Sequence, residues 1–322
     1  MARSDLLVSL IRAGTKGDLV LFRKTVEAIV AEERSKQHHV LADRLMECFQ
    51  ENGKVQMPRT LSSDPQVANL FVEVNPRISL DDLILPPIVA QACGELIEEH
   101  HRSDLLRSYN IEPRHKILLA GPPGNGKTSL AEGLAHSLMV PLITIRYEGV
   151  IGSFLGETAS RLRKLFDFAR NRHCVLFFDE FDTLGKERGD PHDTGEIKRV
   201  VSSLLLQIDD LPSHVVVVTA TNHSELLDRA VWRRFQLRLE LPAPIKSQVQ
   251  AWIERFEKRM EVSFGMSSQT LAEKLEGTSF AELEEFGLDV MRRWILTKPE
   301  GEIRRILKDR LAQWDNRIRP PK

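Results

Sequence analysis

Residues 121–128 read Gly-Pro-Pro-Gly-Asn-Gly-Lys-Thr and fit the pattern GxxxxGK[ST]. They follow an apolar run, Ile117-Leu118-Leu119-Ala120, and open a helical stretch from Thr128 to Ala135. Strand, glycine loop and helix N-terminus in that order make an anion cradle. Backbone N–H groups curl around phosphates, and the helix dipole adds partial positive charge. Pro123, Gly124, Asn125 and Gly126 supply the loop. Lys127 can reach the β- and γ-phosphates, and the Thr128 hydroxyl can ligate Mg2+. The pattern specifies a nucleoside triphosphate; it does not say which base is held or what the energy does.

A second run, Cys174-Val-Leu-Phe-Phe-Asp179-Glu180, is an apolar strand ending in two carboxylates. Acids at the C-terminal end of a parallel strand face the ligand crevice. Asp179 can hold Mg2+ directly or through water, and Glu180 can orient or deprotonate an attacking water. Transfer onto water needs such a base, whereas a small-molecule kinase does not. A third run, Val215-Val-Val-Val-Thr219, leads through Ala220-Thr221 to Asn222. An amide there can both accept from water and donate to phosphate. Finally, Arg233-Arg234 stand just before the apolar run at 237–241. A guanidinium aimed at a transferring phosphate is worth about 10³–10⁵ in rate.

These groups need a scaffold, and the alternation of patterns describes one. Short strand-like runs at 116–120, 142–147, 174–178, 215–219 and 237–241 are separated by helical stretches at 128–138, 159–170 and 196–208. That βαβ rhythm predicts an α/β fold with a parallel sheet covered on both faces. Residues 76–244 form this nucleotide-binding unit, and after Pro242-Ala243-Pro244 a helical unit, 245–322, follows. Residues 1 to about 53 carry helical apolar stripes, such as Leu21, Phe22, Val26, Ile29 and Val30. Residues 54–75, with Pro58, Ser62, Ser63, Asp64 and Pro65, read as a linker. The expected layout is therefore 1–75, helical module and linker. The front segment is either a docking module or an arm packed on the main unit.

Bulk composition narrows the class. The chain has 322 residues, 45 basic and 46 acidic, so nothing marks it as a polyanion binder and no nucleic-acid partner is expected. Three scattered cysteines, Cys48, Cys93 and Cys174, form no CxxC pair, which argues against a disulfide framework or a zinc site and for a reducing, cytoplasmic setting. No apolar stretch is long enough to predict a membrane span.

Taken together, Gly121–Thr128, Phe177–Glu180, Thr221-Asn222 and Leu227-Asp228 through Arg233-Arg234-Phe235 resemble the AAA ATPase family over about residues 78–300. The resemblance implies a five-stranded parallel core with a small C-terminal helical lid, and ATP as the nucleotide. It implies a ring, usually a hexamer, in which Arg233 and Arg234 act on the neighbouring copy's nucleotide and Asn222 is a first sensor. Ser153-Phe154-Leu155-Gly156-Glu157 resembles the aromatic–hydrophobic–glycine pore loop with which such rings grip a threaded polypeptide, putting Phe154 and Leu155 in contact with a client. Residues 189–194 match a second pore loop. The family's lid often has Ser-Gly-Ala-Asp-Leu near the base; here it is Ser279-Phe280-Ala281-Glu282-Leu283, with Phe for Gly and Ala281 still placed to line the adenine pocket. The function implied is ATP-driven remodelling or unfolding of protein clients by threading. The alternative is an ATP-dependent switch that controls a partner enzyme, for example a separate protease, without threading.

Overall fold

The computed structural model describes residues 19–43, 69–147, 155–181, 203–297 and 302–315, with Leu6, Val8, Ser9 and Ile11 near the start. Phe154, residues 189–194 and the first part of the helix expected at 196–208 lie outside the described residues.

Six strands make one sheet: β1 (Phe71–Val74), β2 (Lys116–Ala120), β3 (Leu142–Ile145), β4 (Cys174–Phe178), β5 (Val215–Thr221) and β6 (Leu237–Glu240). Their order across the sheet is β1-β3-β4-β5-β2-β6. Five are parallel, and β1 runs antiparallel along β3, pairing Phe71 with Ile145 and Val74 with Leu142. The expected count of five is thereby corrected to six. The extra strand comes from the end of the segment read as a linker. Phe-Val-Glu-Val is short and interrupted by one acid, with alternate residues buried, as an edge strand should be. The inner strands β4 and β5 are buried throughout, so they appear in sequence as unbroken apolar runs.

Successive side chains of a strand point to opposite faces, and the two cores follow that rule. Leu176 and Phe178 of β4 pack on one face with Leu162, Leu165 and Phe166. Val175 and Phe177 pack on the other with Leu130, Leu134 and Leu96. The helices that cover the sheet are α2 (Pro87–His101), α4 (Lys127–Leu138) and α5 (Leu155–Arg170), with the short α3 (Ser103–Ser108) between α2 and β2. Ahead of them lies α1 (Leu19–Ser35), and α6 (Arg229–Trp232) is a single turn before β6.

The C-terminal helices α7 (Lys246–Arg259), α8 (Ser268–Lys274), α9 (Phe280–Leu296) and α10 (Ile303–Asp315) have their own apolar cluster, built on Ile253, Phe256, Leu271, Phe286 and Leu307. Ser279 caps α9: its Oγ accepts from Glu282 N–H at 3.3 Å, and Glu282 Oε2 accepts from Ser279 N–H at 2.7 Å. Among the described residues no helix is long and apolar enough to cross a membrane.

Candidate functional site

The loop that joins β2 to α4 lies where strand order changes: β2 has β5 on one side and β6 on the other, so the crevice opens at its C-terminal end. Gly126 starts α4 at φ +84°, a left-handed turn that glycine adopts without a Cβ penalty. The Lys127 side chain is nearly buried and spans the loop. Its ammonium donates to Gly121 O at 2.7 Å, Pro122 O at 3.0 Å and Asn222 Oδ1 at 2.7 Å. Asn222 follows β5 directly, so two strand ends converge on one cation.

The Thr128 hydroxyl donates to Asp179 Oδ2 at 3.1 Å, and Asp179 Oδ1 accepts from Glu180 N–H at 2.9 Å. Hydroxyl and carboxylate oxygens that close are the hard donor set a magnesium ion prefers. Glu180 itself sits at φ +47° and is exposed to the crevice. The next residue is pinned, because Phe181 N–H donates to Ala220 O at 2.8 Å. The carboxylate of Glu180 is therefore presented by a strained turn between β4 and β5.

Around these groups opens a cleft of about 1200 Å³. Its floor is Pro123–Thr128, with Asp179, Glu180 and Asn222 at the phosphate end. One wall is the strap 77–85, which precedes α2. Glu132 of α4 holds that strap by accepting from Arg77 N–H at 2.8 Å and Ile78 N–H at 3.3 Å. The other wall comes from the C-terminal helices. Ala281 N–H donates to Gly124 O at 2.9 Å, and a Cβ on Gly124 would stand 2.9 Å from Ser279 Oγ. Gly124 thus lets α9 close on the loop. Ala281, read from the sequence as a residue of the adenine pocket, lies on the wall of the cleft, and so does Phe280.

Sequence reasoning missed three contributors. Trp252 and Phe256 of α7 line the cleft, although their spacing marks them only as core. Arg255, on the same helix, crosses to the strap and donates to Asp81 O at 3.0 Å and Leu83 O at 3.3 Å. A basic residue on an amphipathic helix carries no signal of such a reach.

Arg233 and Arg234 are elsewhere. They precede β6, and Gln236 N–H donates to Lys116 O at 3.0 Å, so they stand at the entering end of β2. The phosphate loop leaves the other end, about 16 Å away at about 3.3 Å per residue. Arg233 is exposed, whereas Arg234 is ion-paired with Asp209, which also holds Lys116 Nζ at 3.2 Å. Burial, and then the nearby Arg234, pushes the Lys116 ammonium below its ordinary value. Leu155 opens α5, its side chain lying outside the described residues.

Residues 117–243 match the model of the family described as "ATPase family associated with various cellular activities (AAA)". An AAA family ATPase of Sinorhizobium fredii is 35% identical over 320 residues, covering 96% of each chain. The chain belongs to the AAA ATPase family. It binds ATP and hydrolyses it. Two other relatives of this AAA ATPase are longer. A proteasome-activating nucleotidase of Thermococcus onnurineus is 32% identical over 70% of the chain and 58% of its own length. A cell division cycle protein 48 homolog of Archaeoglobus fulgidus is 35% identical over 62% of the chain and 29% of its own.

Proposed function

We propose that this AAA ATPase works as a ring, a hexamer by family likeness, that spends each ATP on remodelling a protein client threaded through its centre. The observation that carries the ring is the position of Arg233 and Arg234 at the end of the sheet opposite the chain's own phosphate loop. No side chain bridges about 16 Å, so arginines that serve hydrolysis must come from another copy. The name of the Thermococcus onnurineus relative supports a protein partner.

Within one site, Lys127 and the loop N–H groups hold the β- and γ-phosphates. Thr128 and Asp179 would hold Mg2+, which when bound would offset the negative charge of the phosphates. Glu180 takes the proton of the attacking water, and Asn222 orients that water against the γ-phosphate. Arg233 and Arg234 of the neighbouring copy neutralise the charge that develops on the transferring group. The units divide as 1–70, helical module and linker; 71–244, nucleotide-binding unit, its start moved from 76 because β1 pairs with β3; and 245–322, lid. A cytoplasmic setting is expected from the scattered cysteines, of which Cys93 and Cys174 are free, buried thiols pushed up to about 12 by burial.

Threading is tested at Phe154, which belongs to none of the phosphate-binding or hydrolysis motifs of the sequence. Phe154→Ala is expected to keep basal ATPase within about twofold of the parent and to lose most client-stimulated ATPase and client unfolding, because the grip is an apolar face contact. Unimpaired remodelling by this variant defeats threading and leaves the regulatory switch.

A further inference from the structure

Arg234 has a positive charge to offer, and its own chain already sets a carboxylate against it. The guanidinium is ion-paired with Asp209, whose Oδ1 also accepts from Lys116 Nζ at 3.2 Å. We propose that Lys116 is a positioning residue for hydrolysis: by sharing Asp209 it keeps that carboxylate from cancelling the charge that Arg234 presents to the neighbouring copy's nucleotide. This role rests on Arg234 acting across a contact between copies, and it names the residue that keeps its charge available.

The electrostatics follow from the three side chains. Lys116 and Arg234 are cations and Asp209 is an anion, so the cluster keeps one surplus positive charge. Without Lys116 the remaining pair is neutral. A neutral pair does little for charge that develops on a transferring phosphate, whereas an uncompensated guanidinium stabilises it. The backbone holds the cluster together. Lys116 N–H donates to Gln236 Oε1 at 3.1 Å, and Gln236 N–H donates to Lys116 O at 3.0 Å. The first residue of β2 is thereby fixed beside the turn that carries Arg234. Asp209 is the last residue of a helix described over 203–209. The negative end of the helix dipole disfavours an acid there, and two cations offset that. The Lys116 side chain is only 14% exposed, so water screens its charge weakly. An ammonium bonded to a carboxylate keeps its proton. Burial first, and Arg234 second, press the ammonium below its ordinary value, with Asp210 pulling more weakly the other way. The repulsion between Lys116 and Arg234 is mutual, so Lys116 loosens the hold of Asp209 on Arg234. Asp210 itself is exposed and lies 3.9 Å from Arg170, a different cation.

Steady-state ATPase of the full chain is the test, with Lys116→Met, Lys116→Arg, Asp209→Asn and the Lys116→Met/Asp209→Asn double variant. Lys116→Met is expected to lower kcat about tenfold, within the range by which contacting charges couple. KM for ATP should stay within about twofold, because the phosphate cradle lies at the other end of β2. Lys116→Arg should keep the parental kcat, since it keeps the charge. Asp209→Asn should not lower kcat, and in that background Lys116→Met should have no further effect. With the carboxylate gone, nothing is left to cancel Arg234. Recovery in the double variant also separates charge from damage, because a second substitution does not mend a chain that the first has unfolded. A parental kcat for Lys116→Met, or a double variant as slow as Lys116→Met alone, overturns the role. So does a Lys116→Met chain that sedimentation shows unable to assemble. Arg234→Ala is the control. If it is nearly inactive while Lys116→Met is unimpaired, Lys116 is dismissed and the arginine stands. If Arg234→Ala keeps the parental kcat, the arginine assignment fails first and the role of Lys116 with it.

Discussion

Glu180 pays for its position with backbone strain. A non-glycine residue in the left-handed region loses about 1–2 kcal/mol relative to glycine there, and Glu180 is held at φ +47° by its neighbours' hydrogen bonds. Two substitutions separate the strain from the chemistry. Glu180→Gln keeps the backbone but cannot take a proton, so ATP binding should persist while hydrolysis falls about 10²–10⁴-fold. Glu180→Gly should be as inactive yet more stable than the parent by about 0.5–1 kcal/mol, once the entropy of a freer unfolded glycine is subtracted. Calorimetric ATP titration and thermal melts of both variants check this, and a Gly variant less stable than the parent would contradict the strain. A second carboxylate is misplaced for stability rather than for catalysis. Glu73 on β1 is buried, its Oε2 has no hydrogen-bond partner, and Arg172 lies 3.9 Å off. Burial raises its carboxyl above the ordinary range, against the weaker pull of Arg172. A carboxyl raised on folding favours the fold at low pH and loses that contribution as pH climbs through its folded value. Glu73→Gln should therefore gain on the parent in urea-unfolding free energy as pH rises from 5 towards 8, by about 1 kcal/mol at the upper end. An equal gain at both pH values would show that charge is not the cause.

At the scale of elements, two helical glycines make a matched pair. A Cβ on Gly287 of α9 would stand 2.6 Å from Phe256 Cζ, and that ring is wedged between Trp252 and Phe264. A Cβ on Gly133 of α4 would stand 2.8 Å from Leu80 Cδ2, the free end of a half-buried leucine on the strap. Replacing glycine by alanine in a helix gains about 1 kcal/mol, and overpacking a rigid core costs about 1–3 kcal/mol. Gly287→Ala should thus lose up to about 2 kcal/mol in denaturant unfolding, whereas Gly133→Ala should be near neutral because Leu80 can rotate. The sequence made most elements legible because β2, β4 and β5 are buried on both faces and read as apolar runs. Strand β1 was illegible for the opposite reason: at a sheet edge only Phe71 and Glu73 turn inward, and one of those is an acid. In the site, Lys127, Asp179, Glu180 and Asn222 were legible because each ends a strand or opens a helix. Arg255 and Trp252 were not, since their role depends on how α7 lies against a strap more than 160 residues earlier. The bond from Asp209 to Arg234 was hidden likewise, for nothing local couples a helix end to the turn before β6.

The whole molecule has a phosphate cradle at one end of its sheet and two arginines at the other. In the proposed ring the active centre is shared by two copies, so the kinetics should carry a signature of assembly. Dilution should lower the turnover per chain, and ATPase rate should rise more steeply than linearly with enzyme until assembly saturates. Crossed mutants sharpen the point. Arg234→Ala alone and Lys127→Ala alone should each be nearly inactive, the first by about 10³-fold or more. Mixed together, they rebuild some contacts with an intact cradle on one side and intact arginines on the other. Recovered hydrolysis, greatest near equal proportions, is the expected result; none at any ratio, with mixed assemblies shown to form, would mean each chain is self-sufficient. A cell holding this protein would then set its ATP consumption by how many copies it makes, idle when scarce and active only past a threshold of abundance.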